Sequence, residues 1–500
     1  MSSTRDLTIG SPTKLIIAFS IPLLLGNLFQ QAFVLVDSAV IGRMVGVQAL
    51  AAIGATSKMM FLIIGFAWGA SAGLAIPISK AFGAGDMASV RRNVAASGVV
   101  AALIAIAITV IGLLFGPRLL TAINTPPELM PMAFVFQNIM FGTSALTVAL
   151  NWLGSTIRAL GNSKTPLVFL IASSVLNAGL SVLFVGPFGW GVAGTAWATA
   201  VTQAAVVTAS VIYLVKKLPD ILPNRQEFRA GIRQLGIPAR IGLPMGFQAS
   251  IIGIGTVLMQ AAINGLGSDA VAAATVASRI EGLAMAPLGT FGVAIATYVA
   301  QNNGAKAYRR IRAGVKSITV ISMVAGVVIG AVLFSFSAQF VQLFLADPSV
   351  EVLDLVRSHF LIAGIWYFAL GLIFISRNAV QGLGYATIPT ISGFVELAVR
   401  SIAALFFVGR FGWLAVVWGL PMGWTLGALL CTIAWFYHRK KLMTLERENL
   451  APLPEGLLAE TTNGTTANAG WDHTELKKIT ASRQADPIGQ ESRSKELAFA

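Results

Sequence analysis

Between residues 15 and 36 the chain carries no charged residue. About 20 apolar residues of helix cross the hydrocarbon core of a bilayer, and this run has that length. The pattern then recurs along the chain. Residues 59–79, 94–117, 129–157 and 165–215 are equally free of charge. The last is too long for one helix and breaks at Gly186-Pro187-Phe188-Gly189, a turn signal. Residues 241–268, 282–305, 317–346, 358–376, 387–408 and 411–438 follow. The reading is an all-α membrane protein with twelve transmembrane helices. The first run is too long for the apolar core of a signal peptide and no small-residue cleavage site follows, so it is expected to remain as the first span.

Composition agrees. Hydrophobic residues make up 56% and charged residues 11%, against roughly 25% charged in soluble domains. A single cysteine, Cys431, excludes an intramolecular disulfide and a Cys-ligated metal centre. The three histidines, His359, His438 and His473, are far apart in sequence, which argues against a His-rich metal site. No GxxxxGK[ST] loop is present, so ATP is not expected as a partner. No cofactor is expected.

The formal net charge is +14, and its distribution alternates from loop to loop. One set of loops holds Lys80, Arg91 and Arg92, then Arg158 and Lys164, then Lys216 to Arg240, then Lys306 to Arg312, then Arg377, then Arg439 to Lys441. The opposite set holds only Arg43, Arg118, Arg357 and Arg410. Basic loops stay on the cytoplasmic side. Both termini are therefore expected in the cytoplasm of a cell whose plasma membrane the chain crosses. The basic charge reads as an orientation device rather than as a nucleic-acid surface.

The two halves resemble each other. Leu160-Gly161, Pro166 and Gly186, Phe188-Gly189-Trp190 recur as Leu383-Gly384, Pro389 and Gly409, Phe411-Gly412-Trp413. Pro22 recurs as Pro244, Gly46 as Gly267, and Gly85 is aligned with Gly304. A tandem duplication of six helices accounts for this. Six is even, so both copies enter the membrane the same way up, related by an axis along the membrane normal with a cavity between them. The expected organisation is an N-lobe at 1–215, a cytoplasmic linker at 216–240, a C-lobe at 241–438 and a disordered cytoplasmic tail at 439–500.

Several short motifs stand out in this frame. Pro22 is followed by Val36-Asp37-Ser38 and Gly42-Arg43, and Phe82-Gly83-Ala84-Gly85-Asp86 precedes Arg91-Arg92. The second half has Ser278-Arg279-Ile280-Glu281 with Pro287, then Val395-Glu396-Leu397 with Arg400. In order, spacing and duplication these resemble the multidrug and toxic compound extrusion (MATE) family, in its prokaryotic DinF-type branch, over residues 10–438. The resemblance implies an exporter of amphipathic, often cationic small organic molecules, driven by inward H⁺ or Na⁺ through alternating access. A monomer is expected, and no enzymatic activity.

Three acids lie within the spans: Asp37, Glu281 and Glu396. A charge at the bilayer centre costs roughly 2.5–3.5 kcal/mol, so each needs a reason to be there. Asp37 has no basic residue within a helical turn, and a lone buried carboxyl is suited to taking and releasing a proton. Its position matches the N-lobe carboxylate that the family resemblance implies. That resemblance also implies an Asn and an Asp one turn apart in the fifth span. Asn177 fits the first, while Ser181 stands where the acid would be, which favours H⁺ over a Na⁺ site built on two carboxylates. Glu396 and Arg400 are four apart and expected to pair. Glu281 has Arg279 two residues away on another face, so its partner must come from another helix, or it lines the cavity. Lys58 has two readings, pairing with Asp37 across helices or snorkelling outward. Ion coupling is thus expected at Asp37, Asn177, Ser181 and Glu281. A substrate cavity is expected to draw on Met59, Met60, Gln137, Gln248, Met285, Glu396 and Arg400.

Three other readings compete with this one. A flippase for a lipid-linked or polysaccharide precursor would want a strongly basic cavity for phosphates, whereas only Lys58, Arg279 and Arg400 sit clear of the span ends. A membrane enzyme would need paired acid–base or metal groups at membrane depth. A channel or structural protein has no particular use for duplicated lobes.

Overall fold

The computed structural model describes residues 6–122, 125–345 and 347–450. Within its helices the side chains of residues 32–39, 47, 50, 55, 57–59 and 449–450 lie outside that description, and with them the side chains of Asp37, Lys58 and Met59. Most of the expected tail, residues 451–500, lies outside it too.

The described chain is almost wholly helical. The first half runs α1 (Pro12–Met44), α2 (Val47–Leu74), α3 (Ile76–Gly83), α4 (Met87–Ala122), α5 (Met130–Gly142), α6 (Ser144–Ala159), α7 (Lys164–Val185) and α8 (Gly191–Lys217). A short helix, α9 (Arg225–Ile232), lies in the linker. The second half runs α10 (Gly236–Asn264), α11 (Ser268–Gly304), α12 (Tyr308–Ser335), α13 (Ser337–Gln342), α14 (Val350–Gly382), α15 (Thr387–Ile402), α16 (Val408–Phe411) and α17 (Trp413–Leu450). A π-helical turn, Ala403–Phe407, joins α15 to α16.

Among the described residues eleven helices are long and apolar enough to cross a membrane, and α5 with α6, bent by 47°, make the twelfth span. The bend falls at Thr143, whose hydroxyl donates to the Ile139 carbonyl. Such back-bonding competes with the helix ladder and bends helices. Leu114, Leu405 and Phe406 are each more than three-fifths exposed, as lipid-facing side chains of a spanning bundle are.

The tertiary structure moves some sequence boundaries. The last helix does not stop at His438 but continues to Leu450, so the expected tail begins as helix. Arg377, assigned from sequence to a loop, lies inside α14 and is buried. The apolar run ends at Ser376 only because a charge follows. The helix carries that charge inward, because an acid meets it there.

The duplication is visible in backbone conformation. Gly46 and Gly267 both have strongly positive φ (109° and 99°), as do Gly161 and Gly384 (79° and 95°) and Gly189 and Gly412 (65° and 57°). Glycine adopts this left-handed region without steric cost. The turn after α3 places Gly85 at φ 71°, and the matching turn after α11 places Lys306 at φ 55°. Gly85 therefore corresponds to Lys306, and Gly304 to Gly83, which corrects the sequence alignment of Gly85 with Gly304.

That correction exposes a reciprocal contact. A Cβ on Gly83 would run into the Gln301 carbonyl oxygen, and a Cβ on Gly304 would run into the Lys80 carbonyl oxygen. Lys80 and Gln301 are themselves equivalent positions of the two halves. Each half thus presents the same pair to the other, the signature of a twofold contact. Further along, Gly73 of α2 meets Gly242 of α10, and Gly69 meets the Met245 carbonyl. Small residues let helix backbones approach closely in a membrane, where dispersion and not water exclusion holds helices together.

All these contacts cluster on the side of the basic loops. There Leu7, fully buried, donates from its N–H to Gln301 Oε1 (3.0 Å), and its carbonyl accepts from Asn302 Nδ2 (3.2 Å). Gln301 Nε2 in turn donates to the Ala159 carbonyl at the end of α6 (2.9 Å). One apolar cluster there joins Leu7, Ile16, Tyr298, Trp435 and Leu442, so the start of the chain and the end of α17 lie on the same side. The halves are in direct contact at this side.

Candidate functional site

Two buried acid clusters occupy the second half. Glu281 lies on α11, whose Ala273, Val276, Ala277 and Ile280 pack into a core cluster. That face repeats at helical spacing and carries Glu281 inward, while Arg279, on another face, is exposed. The partners come from α14. His359, Ala363 and Tyr367 are spaced by four and share one face of that helix. All three are buried. Glu281 reaches both polar tips: its Oε1 is 3.0 Å from His359 Nε2 and accepts from Tyr367 OH at 2.8 Å.

His359 Nδ1 has no hydrogen-bond partner. The neutral tautomer with its proton on Nε2 leaves Nδ1 as an unfilled acceptor, whereas an imidazolium would bury an orphan N–H, the costlier arrangement. With Nδ1 unpartnered, the arrangement that satisfies the pair is Nε2–H donating to the Glu281 carboxylate. This pairing was not foreseen from sequence. The spacing of a His and a Tyr around a small residue on one helical face was the available signal.

The second cluster centres on Glu396. On α15, Pro389, Ser392, Gly393, Glu396 and Arg400 form the buried face. Arg377 Nη2 of α14 is hydrogen-bonded to Glu396 Oε1 and to Ser392 Oγ (3.2 Å). The expected partner, Arg400, is the more distant one, its Nη2 3.9 Å from Glu396 Oε2. Two guanidiniums therefore share one carboxylate, so the buried acid is paired on both of its oxygens. Beside them Gln381 donates to Gln248 Oε1 (2.7 Å), and Gln248 donates to the Pro389 carbonyl (2.8 Å), tying α14, α10 and α15 together.

In the first half Asn177 and Ser181 are buried on α7. Ser181 Oγ donates to Asn177 Oδ1 (3.3 Å), and Asn177 Nδ2 donates to Thr199 Oγ1 of α8 (3.2 Å). Asp37 is carried on α1. Asn27 of the same helix donates to Thr290 of α11 across the two halves (3.1 Å).

The residues expected to line a substrate cavity are dispersed. Gln137, Gln248, Glu396 and Arg400 are buried within their own halves. Gln137 lies against Gly116 of α4 with neither amide atom hydrogen-bonded. Met285 packs on the core cluster that holds Glu281. Met60 packs on Phe141 and lines a cavity of about 20 Å³ with Met140, Ser144 and Thr147, room for a water molecule and not for a drug. Sequence spacing reports that such residues are in helices; which face turns inward to the lobe and which to the gap between lobes is a matter of packing.

The family model MatE matches the chain twice, over residues 22–183 and 244–406, each copy beginning at a proline inside the first helix of its half. The chain belongs to the MATE family of transporters. Its relatives include the "Probable multidrug resistance protein YpnP" of Bacillus subtilis, 25% identical over 89% of this chain and 99% of that protein. Another is the "Multidrug export protein MepA" of Staphylococcus aureus, 21% identical over 86% of this chain and 94% of that one. Among solved structures, a MATE in a bent conformation superposes with a TM-score of 0.80 at 20% identity, covering 89% of this chain and 98% of the other. An outward-facing multidrug resistance MATE transporter gives 0.75 at 20% identity, covering 88% and 98%. These likenesses establish the twelve-helix, two-lobe MATE fold. The chain is therefore a multi-pass membrane transporter and not an enzyme, and in the MATE frame the clusters at Glu281 and Glu396 lie in the C-lobe.

Proposed function

We propose that this MATE transporter exports amphipathic, often cationic organic compounds in exchange for protons. The multidrug proteins among its relatives support the export of such cargo. Support for the proton comes from one observation, the company Glu281 keeps. An imidazole and a phenol are hydrogen-bonded to it, where a hard cation such as Na⁺ prefers a cage of oxygen ligands. Ser181, in the place of a second N-lobe carboxylate, supports the same ion.

In this reading Asp37 and Glu281 are the proton carriers, one per lobe, with Asn177 and Ser181 beside the N-lobe site. Glu396, held by Arg377 and Arg400, is structural. The seal formed by Leu7, Gln301 and the Gly83–Gly304 contact closes the cytoplasmic side, so that the state described faces outward. Opening that seal while the other side closes would admit cargo from the cytoplasm, and resealing it would release the cargo outward. The termini are then cytoplasmic, in the cell membrane, and the working unit is a monomer without cofactor.

Everted membrane vesicles test this. Imposing a pH gradient, acidic inside, should drive accumulation of a dye-like cation, and an uncoupler should abolish it. Uptake driven by a Na⁺ gradient alone would reject proton coupling; transport of a phosphate-bearing lipid precursor and no cation would reject the cargo.

A further inference from the structure

The linker helix α9 carries a surface that neither transport nor lobe packing uses. Its inner face is anchored. Asn224 caps the helix by accepting from the Glu227 N–H (2.8 Å), and Glu227 Oε2 accepts from the Asn224 N–H (3.0 Å), a reciprocal capping box. Glu227 Oε1 also accepts from Arg91 Nε of α4 (2.6 Å), and Arg91 Nη1 donates to the Asp220 carbonyl (3.1 Å). Gly231 lets the helix settle onto α4: a Cβ there would stand 2.6 Å from the Arg92 carbonyl oxygen and 2.9 Å from Ala95 Cβ.

The outer face is different. Arg225, Arg229 and Arg233 are exposed and pair with no acid among the described residues. Phe228 and Ile232, between them, are each 43% exposed. Basic and apolar side chains thus alternate along one outward stripe, at spacings of three and four. The depth of this stripe is set by its anchor. Gly231 packs at Ala95, and α4 carries no charge from Asn93 to Pro117. The helix therefore sits where α4 enters its apolar run.

We propose that α9 is an anionic-lipid-binding element, its arginines engaging acidic headgroups while Phe228 and Ile232 insert among the acyl chains. The occupant is the leaflet in which the chain itself lies. Basic residues near an anionic leaflet are attracted over a Debye length, and helices of mixed basic and apolar character lie in the interface plane. Binding here would hold the linker, and with it the junction between lobes, at a fixed depth. The inference stands whichever ion drives transport.

The test uses the full chain with Cys431→Ala and Phe228→Cys, carrying a bimane at position 228 and reconstituted in nanodiscs. Brominated phosphatidylglycerol is expected to quench the label at least about twofold more than brominated phosphatidylcholine of the same bromine depth. Arg225→Gln/Arg229→Gln/Arg233→Gln should equalise the two lipids, and 0.5 M salt should narrow the difference through screening at a Debye length of about 4 Å. Replacing the same arginines by lysine should restore the preference and so separates charge from misfolding. Equal quenching by both lipids in the parent would overturn the proposal, as would a label quenched by neither and open to a membrane-impermeant quencher.

Discussion

His359 Nε2 of α14 stands 3.0 Å from Glu281 Oε1 of α11, with both side chains buried in the C-lobe core. Glu281→Gln keeps the shape and removes the exchangeable proton. It is expected to lower pH-gradient-driven uptake by about 5–150-fold, the usual span of a coupling free energy, with expression and monodispersity near those of the parent. His359→Gln keeps a hydrogen bond to Glu281 and should leave transport that no longer follows pH in the same way. Uptake against pH in proteoliposomes reads both. A Glu281→Gln protein with the parent's profile would remove Glu281 from coupling.

Glu396 with Arg377 and Arg400 predicts a different pattern. Truncating one partner of a buried ion pair leaves an uncompensated charge and costs roughly 3–5 kcal/mol. Glu396→Gln should therefore lower thermal stability more than Glu281→Gln. Removing charge from both sides, with Glu396→Gln and Arg377→Met, should recover part of that loss. A double-mutant cycle on detergent-solubilised protein measures the coupling.

Asp37 on α1 is expected to behave as a carrier. Asp37→Asn should abolish accumulation of a cationic dye in everted vesicles while leaving protein levels unchanged. Normal accumulation by this variant would rule out its role.

At the seal between the halves, Gly304→Ala would place a Cβ against the Lys80 carbonyl and Gly83→Ala one against the Gln301 carbonyl. Because the contact is reciprocal, the two variants should have similar effects. Each should disfavour the sealed state and raise the labelling rate of a cysteine at position 7 by a membrane-impermeant maleimide applied from the basic-loop side.

The linker gives a pH dependence whose sign is determined. The Asn224 backbone N–H, and after it the Arg91 side chain, hold the Glu227 carboxyl below its ordinary value of 4.5. An acid depressed in the docked state stabilises that state above its free value and loses the contribution as pH falls through the depressed one. A spin label at Gln226 should therefore stay immobile at neutral pH and loosen in acid below about pH 4.5. In Glu227→Gln it should be looser already at neutral pH. Asn224→Ala, which removes the cap, should cost about 1 kcal/mol of helix stability.

The twelve spans were legible because lipid imposes one rule on every crossing, that the backbone satisfy itself in a helix under apolar side chains. Their ends were less legible. Arg377 looked like a loop residue because a charge ordinarily ends a span, and only the approach of Glu396 makes its burial tolerable. The repeat was legible in its glycines, yet its register at the third turn was not. Lys306 adopts the conformation Gly85 adopts, so the residue types there conceal the equivalence.

What the sequence determined by itself is everything that depends on local composition and period: the helices, the duplication, the unequal charge of the loops and the scarcity of intramembrane acids. Which groups share a hydrogen bond, which acid is clamped and where the halves touch were decided by tertiary packing. His359 is 78 residues from Glu281 and Gln301 is 294 from Leu7. A hydrogen bond acts over about 3 Å, and no local pattern in a chain states which distant side chain will come that close.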